Sequence, residues 1–505
     1  MRLKRYNHNR SNTRLSSYNM GEIVPTMARH CIQGTTLSGG VAVGLQMASL
    51  ARQSLSQMRM DNFAISAPDR ILWDDAEDFY TGGETGDVRP EVPYIVAPEG
   101  GWAVGSLADH LGFATGVSGL KCNALPFRLY ALWINENVID PSLQQPLPIS
   151  TASGLDVTTN TQLWNMNWPK DIFTTAVVEE QLGDEVVIPI ATSAPVVTGE
   201  EHSIVGGTPL KVRKSTDGSL LTSETILGVS GTNVKQFSNN NNTGASSFAY
   251  PTNLSADLSN STGVLPSDFN FAMARQAWKT RRNLYGHRFK DWLAFMGIKY
   301  SDRRLQLPST LAHSRSIMDV NGVLQTAPGT DSYVGQRGGT ASGYGRCSYK
   351  TYFDEPTTVI HLTCLRPAPL YVNIMPMEWA FEVREDTYTP EFAHVGMAEL
   401  KKGILFPTGT DADKERWAFY NRYDELRTAL NDVSGAMKTT NLVYHQGRVF
   451  VSAPELNSDF LECNPSPRIF NNMNSSNAPQ IEAAAIRNTF IERNIVSPHG
   501  EPRFR

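Results

Sequence analysis

The chain has 505 residues, of which 40% are hydrophobic and 19% charged, with a formal net charge of −5 at pH 7. These proportions fit a soluble globular protein with a large core, and the acidic balance excludes a surface that coats nucleic acid all over. Thirty-nine glycines, 29 prolines and frequent short polar stretches favour a loop-rich, mainly β protein over a helical one.

The charge is unevenly spread. Residues 1–21 carry Arg2, Lys4, Arg5, Arg10 and Arg14 and no carboxylate before Glu22, a +5 arm that leaves −10 on the rest. Residues 1–20 are too polar to pack a core, so an arm is expected that is disordered alone and orders on a partner. Two readings of it stay open. Positive charge on a tether binds phosphate, and Tyr6 could stack on unpaired bases; the alternative is a solubilising tail. Arg503 and Arg505 form a smaller basic group at the other end. The basic start lacks an apolar stretch behind it, so a secretory signal is not expected. No apolar run reaches the roughly 18–20 residues that span a bilayer.

Short β-branched or aromatic runs bounded by turn residues predict strands at Val41–Leu45, Phe63–Ala67, Glu185–Ile190, Thr357–Cys364, Leu370–Met375 and Arg448–Ser452. Long segments separate several of them, as in a jelly roll with large loop insertions. Two early segments, Pro68–Gly83 and Leu125–Glu136, mix large aromatics with arginine and carboxylates. That composition suits surfaces buried between subunits. With a later pair, they supply the interface candidates Trp73, Phe79, Tyr80, Phe127, Arg128, Trp133, Tyr420 and Tyr423. The alternative for each is an ordinary core side chain.

Residues 191–263, rich in Thr, Ser, Gly and Asn, read as an insertion that projects from the surface. A helix follows, capped by Ser267 or Asp268 and ended by Gly297; Gly286 inside it allows two shorter helices. Phe271, Ala274, Trp278, Tyr285, Phe289, Trp292 and Met296 share one face. Lys279, Arg281, Arg282, Arg288 and Lys290 occupy the other, read as a solvated basic face or a contact with a neighbour or DNA.

Enzyme signatures are missing: there is no G-x-S-x-G, H-E-x-x-H or P-loop. The glycine-rich stretch Gly335–Gly345 could cradle a phosphate, but it lacks a P-loop lysine and reads better as a flexible loop. Asp74, Asp75, Glu77 and Asp78 fit an acidic helix start better than an acid–base pair. Asp411–Glu415 resembles a calcium loop but has Arg416 and Arg422 where such a loop needs Gly and Glu. The five cysteines, Cys31, Cys122, Cys347, Cys364 and Cys463, form no C-x-x-C pair and read as reduced, mostly buried thiols. Neither a metal nor a cofactor is expected.

An ordered set of short motifs resembles the major capsid protein of the Microviridae, small phages with single-stranded DNA, in its gokushovirus-like branch. The set begins with Gly21-Glu-Ile-Val-Pro25 and Gln33-Gly-Thr35, then the two aromatic segments and Asp171-Ile-Phe-Thr-Thr-Ala176. It continues through Gly297-Ile298, Ser301-Asp-Arg-Arg-Leu-Gln306, Phe353-Asp-Glu-Pro356 and Leu365-Arg-Pro367. Tyr420-Asn-Arg-Tyr-Asp-Glu425, Val433-Ser-Gly435, Leu456-Asn457, Pro467-Arg-Ile-Phe470 and Pro498-His-Gly500 complete it. The Trp-Pro-Gln that often follows the family's aromatic-Thr-Ser-Ala element is replaced by Val177-Val-Glu-Glu-Gln181.

The resemblance implies an eight-stranded antiparallel jelly roll over residues 21–505, with 191–263 in the interval where that branch carries a three-fold protrusion. It also implies a non-enzymatic shell protein, sixty copies in a T=1 capsid around circular single-stranded DNA. The partners it implies are copies of itself, the DNA, a small basic packaging protein, an internal scaffolding protein, a pilot protein and a host receptor, without membrane insertion. Assembly would take place in the bacterial cytoplasm and the product would be the virion. Two rivals remain at this level: a jelly-roll enzyme or lectin acting on carbohydrate, and a non-capsid single-stranded-DNA-binding protein.

Overall fold

The computed structural model describes residues 4–181, 183, 184, 186, 266–326, 333–470 and 479–498, and six short strands between 196 and 256. The chain divides into two units, Met1–Leu182 with Thr280–Arg505, and Gly183–Lys279.

The first unit is built on two antiparallel sheets. Sheet one contains β1 (Tyr6–Asn9), β2 (Asn12–Tyr18), β4 (Thr35–Met47), β7 (Asp319–Leu324), β8 (Arg337–Phe353) and β10 (Ile481–Asn494). Its order is β1 and β2, end to end along one edge of β10, then β4, β8 and β7. Sheet two contains β3 (Val24–Cys31), β5 (Met58–Pro68), β6 (Ser309–Ile317) and β9 (Thr357–Pro367), in the order β6-β5-β9-β3.

Alternation in β10 explains how sheet one packs. Ile481, Ala484, Ile486 and Phe490 point inward, and they meet Val24, Met27, Met58, Met60, Val359 and Leu365 of sheet two in a shared core. Sheet two is covered again on its far side. There Ile65, Ala67, Ile360 and Leu362 pack under a layer made of α1 (Asp69–Leu72), α2 (Ala76–Thr81), α3 (Leu107–Leu111) and α4 (Leu125–Asn137). A third, smaller core gathers Phe173, Tyr371, Leu400, Ala418, Phe460 and Leu461.

The predicted strands at Val41–Leu45, Phe63–Ala67 and Thr357–Cys364 lie inside β4, β5 and β9. Those at Leu370–Met375 and Arg448–Ser452 do not form strands; they meet only at an isolated bridge between Tyr371 and Arg448. Pro367, Pro369 and Pro376 flank the first run, and proline cannot donate to a ladder. The run Glu185–Ile190 falls almost wholly outside the described residues.

Two expectations give way to strands. Residues 6–18, read as a disordered arm, lie as β1 and β2 along β10, with Thr13 opposite Arg487. The edge of β10 supplies the backbone partners that the arm's composition does not advertise. The glycine-rich stretch read as a flexible loop mostly falls within β8. At Gly345 a Cβ would stand 2.6 Å from Asn62 Nδ2 and the Met60 methyl, so glycine lets the facing sheet approach.

The predicted helix is two, α5 (Pro266–Tyr285) and α6 (Phe289–Phe295), divided at Gly286 with φ +103°. In the first unit the basic face is not simply solvated. Arg288 donates to the Ile139 carbonyl at 2.6 Å, and both Arg288 and Lys290 pair with Glu136 at the C-terminal end of α4. The second unit, taken by itself, has three two-stranded pieces: 228–230 with 233–235, 212–214 with 249–251, and 196–198 with 254–256. The rest of the expected protrusion, 191–263, lies outside the described residues.

Candidate assembly surfaces

The second aromatic segment folds as α4, with Pro126 in its first turn, and lies buried on sheet two. Phe127 stacks on Phe113 at 5.5 Å and Trp102 at 6.0 Å. Trp133 meets Phe63 at 5.0 Å and donates from its ring nitrogen to Thr310 Oγ1 at 3.1 Å. Tyr130 donates to the Ile23 carbonyl at 2.9 Å and accepts from the Trp164 amide at 3.0 Å, tying the helix to the approach of β3.

Arg128 is wholly buried. Its Nε donates to Asp156 at 2.9 Å, while its other nitrogens donate to the Leu72 and Ala152 carbonyls at 2.9 and 2.8 Å. Burial works against the Asp156 charge. Hydrogen bonds from Thr159, Arg128 and Thr158 outweigh it and hold the carboxyl below its usual range. Burial also lowers the Arg128 guanidinium from its ordinary value, against the pull of Asp156. The result is a fully satisfied buried ion pair that joins the end of α1 to the loop after residue 150.

These positions correct the interface expectation for five side chains. Trp73, Phe127, Arg128, Trp133 and Tyr423 are 0–3% exposed and are enclosed by their own chain, so they cannot touch a neighbour. Trp73 donates to Ser153 Oγ at 2.7 Å; Tyr423 donates to the Thr387 carbonyl at 3.1 Å and meets Tyr388 edge-on at 5.2 Å. Tyr420, at the end of the strand Arg416–Tyr420, is half-buried. Phe79 and Tyr80 on α2 remain at the surface, 40% and 45% exposed. Tyr80 is anchored there: its hydroxyl donates to Asp69 at 2.8 Å, beside His30, which contacts the same carboxylate at 2.7 Å. The hydrogen bond to Asp69 raises the His30 pKa above its ordinary value, against burial.

A set of exposed aromatics had not been singled out. Trp379, Phe381 and Tyr388, 54–73% exposed, lie on short turns between 377 and 392. Glu378-Trp-Ala-Phe381 repeats the aromatic and acidic mixture of the front segments, so a signal was present. In the second unit Phe271 and Trp278 are also exposed. Such clusters are the usual mark of association surfaces.

The basic arm is partly committed. Arg10 pairs with Glu492 at 2.9 Å, beside Arg29 on the same carboxylate. Arg14 donates to the His110 and Asp109 carbonyls at 2.6 and 2.7 Å. Arg5 donates to the Tyr352 hydroxyl at 3.1 Å, with its guanidinium over that ring. Lys4 lies 5.3 Å from the centre of the Tyr6 ring, and Arg2 is outside the described residues. All five cysteines are free and buried. Among the described residues no acidic, His and Cys cluster could hold a metal ion, and no helix is long and apolar enough to cross a membrane.

A family model described as capsid protein (F protein) matches residues 1–499. The chain is 28% identical to capsid protein VP1 of Spiroplasma virus 4, over 95% of this chain and 92% of that one. It is 27% identical to capsid protein VP1 of Bdellovibrio phage phiMH2K, covering 90% and 87% respectively. Capsid protein VP1 of Chlamydia phage 1 is 24% identical, covering 92% and 90%. These are structural proteins of Microviridae-type phages, not enzymes.

Proposed function

Because this chain belongs to the phage capsid protein (F protein) family, and so is a structural protein of a virion, we propose that it closes a T=1 shell of sixty copies around circular single-stranded DNA. The observation that carries the fold part of this reading is strand order. With β1 and β2 taken as one broken strand and β7 as a hairpin extension of β8, eight strands remain, four in each sheet. Successive strands then alternate between sheets from β2 through β5, β6 pairs with β5 in sheet two, and β6, β8, β9 and β10 alternate again. That connectivity supports a jelly-roll reading, an architecture that keeps most strand edges inside the sheets and frees the loops for neighbours.

One chain must make five-, three- and two-fold contacts in such a shell. Phe79, Tyr80, Tyr420, Trp379, Phe381 and Tyr388 are the side chains assigned to them. Residues 191–263 are assigned to a protrusion at the three-fold axes; a particle map without density there would remove that assignment.

The arm, through Arg2, Lys4, Arg5, Arg10 and Arg14, is assigned to the DNA side. A charge count limits it: sixty arms at +5 give about 300 charges, against about 1,500 nucleotides for this gene alone. A small basic packaging protein, polyamines or metal ions must therefore share the neutralisation. Internal scaffolding and pilot proteins, a host receptor and assembly in the host cytoplasm complete the proposal.

Negative-stain electron microscopy of the chain expressed alone and with its neighbouring phage genes tests it. Closed uniform shells of roughly 250–300 Å are expected for sixty compact chains of this size. Only small particles in both preparations would overturn the reading and return attention to carbohydrate or free DNA binding.

A further inference from the structure

The outer face of sheet one has no layer over it among the described residues, and its side chains are sorted. Outward positions of β4, the middle strand, are Ser38, Gly40, Ala42 and Gly44, a floor of small residues. A Cβ at Gly40 would sit 2.3 Å from the Cys347 carbonyl oxygen, so the floor stays low there. On one side β8 raises Tyr344, Arg346, Lys350 and Tyr352; on the other β10 raises Arg487 and Arg493, all exposed. Register places Arg346 and Arg487 on either side of Ala42, and Tyr352 and Arg493 on either side of Thr36. Arg5 joins them at the Tyr352 hydroxyl.

We propose that this face is a trough for single-stranded nucleic acid, in which Arg346, Lys350, Arg487, Arg493 and Arg5 hold the phosphates and Tyr344 and Tyr352 stack on bases. The choice of ligand rests on the capsid reading; the charge and shape do not. The walls stand about 9–10 Å apart, two strand spacings, which is room for one sugar–phosphate strand. Along β8 successive outward side chains are roughly 7 Å apart, so Arg346 and Lys350, with Ser348 between them, lie in a row flanked by the Tyr344 and Tyr352 rings, cations for phosphates beside rings for bases.

None of Arg346, Lys350, Arg487 and Arg493 has a carboxylate within ion-pair distance among the described residues, whereas Arg10 and Arg29 nearby do. The face's carboxylates, Asp319 and Glu482, lie at its far end, level with Ser342, and Glu492 is turned inward. Cations held this close and unpaired repel one another, and a polyanion relieves that repulsion. An acidic protein segment would satisfy the charge but would leave two exposed tyrosines unexplained.

The test is fluorescence anisotropy of the full-length, unassembled chain with oligothymidylate of about 20 nucleotides, from about 50 to 200 mM salt. Joint replacement of Arg346, Lys350, Arg487 and Arg493 by Gln is expected to lower affinity at least about 100-fold at the low-salt end. It should flatten the slope of log affinity against log salt by about 3, at about 0.7 per lost phosphate contact. Replacing the three arginines by Lys should keep affinity within about threefold. Tyr344→Ala with Tyr352→Ala should weaken oligothymidylate binding about tenfold and leave polyglutamate binding unchanged. If the glutamine variant failed to fold, the tyrosine pair and the lysine set would carry the test.

Wild-type affinity and slope in a folded glutamine variant would overturn the trough. So would polyglutamate binding as tightly as oligothymidylate with no effect of the tyrosines, which would assign the face to an acidic protein. Electron microscopy of the same preparations separates the two proposals. Shells without a trough effect leave the capsid reading standing, whereas a trough effect without shells sustains the trough alone.

Discussion

The two sheets share one core but differ in what lies behind them. In sheet two, β9 is buried at all eleven positions, including Thr357, Thr358, His361, Thr363 and Arg366. In sheet one, β10 alternates between buried and exposed along nearly its whole length. A strand with one wet face keeps its polar residues outside at no cost. A strand covered twice needs partners for them, and most have one: Arg366 pairs with Asp61, His361 meets the Tyr349 hydroxyl at 3.0 Å, and Thr358 donates to Asp69 at 3.0 Å. Sheet two and its helical layer therefore hold stability in buried pairs, while sheet one offers its open face for binding.

The largest expected effect lies in the covered half. Arg128→Ala leaves Asp156 buried without its ion-pair partner and is expected to cost about 3–5 kcal/mol in urea unfolding; a loss below about 1 kcal/mol would mean the pair is not shielded. Leu362→Ala, on the helix-layer side of β9, is expected to cost about 2–5 kcal/mol in the same assay.

Acid should weaken the covered half next. Burial pushes His361 down to about 3 and His110 down to about 4. Each binds its proton more readily in the unfolded chain, so stability is complete above pH 6.5 and falls as pH drops from 6.5 toward those values. About 2 kcal/mol per histidine should be lost by pH 4.5. Thermal melts across that range check this, and His361→Asn should flatten the curve. The smallest effect belongs to the open face: Ile491→Thr, outward on β10, should change unfolding by no more than about 0.5 kcal/mol. A cost like that of Leu362→Ala would show that the face is covered after all.

The same contrast decides what was legible in the chain. Strands β4, β5 and β9 have β-branched centres, and the division of the long helix at Gly286 follows from its φ, so these were readable. β10 was not: Ile481-Glu-Ala-Ala-Ala-Ile486 has helical propensity, and Asn488 and Glu492 sit on its buried face. Glu492 is tolerated there because Arg29 on β3 and Arg10 between β1 and β2 pair with it. Tertiary pairing overrides local preference. The aromatic segment of α4 looked like an interface because its burial by sheet two depends on strands up to about 230 residues away. The basic arm was visible as charge, but its pairing with a strand near the other end of the chain leaves no local trace.

That pairing has a consequence for synthesis. β10 lies between β2 and β4 and emerges from the ribosome about 460 residues after β2. At ordinary bacterial elongation rates this gap lasts roughly half a minute to a minute and a half. Throughout it, β2 has no sheet to join and β4 presents an open edge, an invitation to cross-pairing between nascent chains. Sheet one is thus completed only once β10 has been made, and the basic trough does not exist before then. A nascent chain that still lacks β10 therefore has only one wall of that trough.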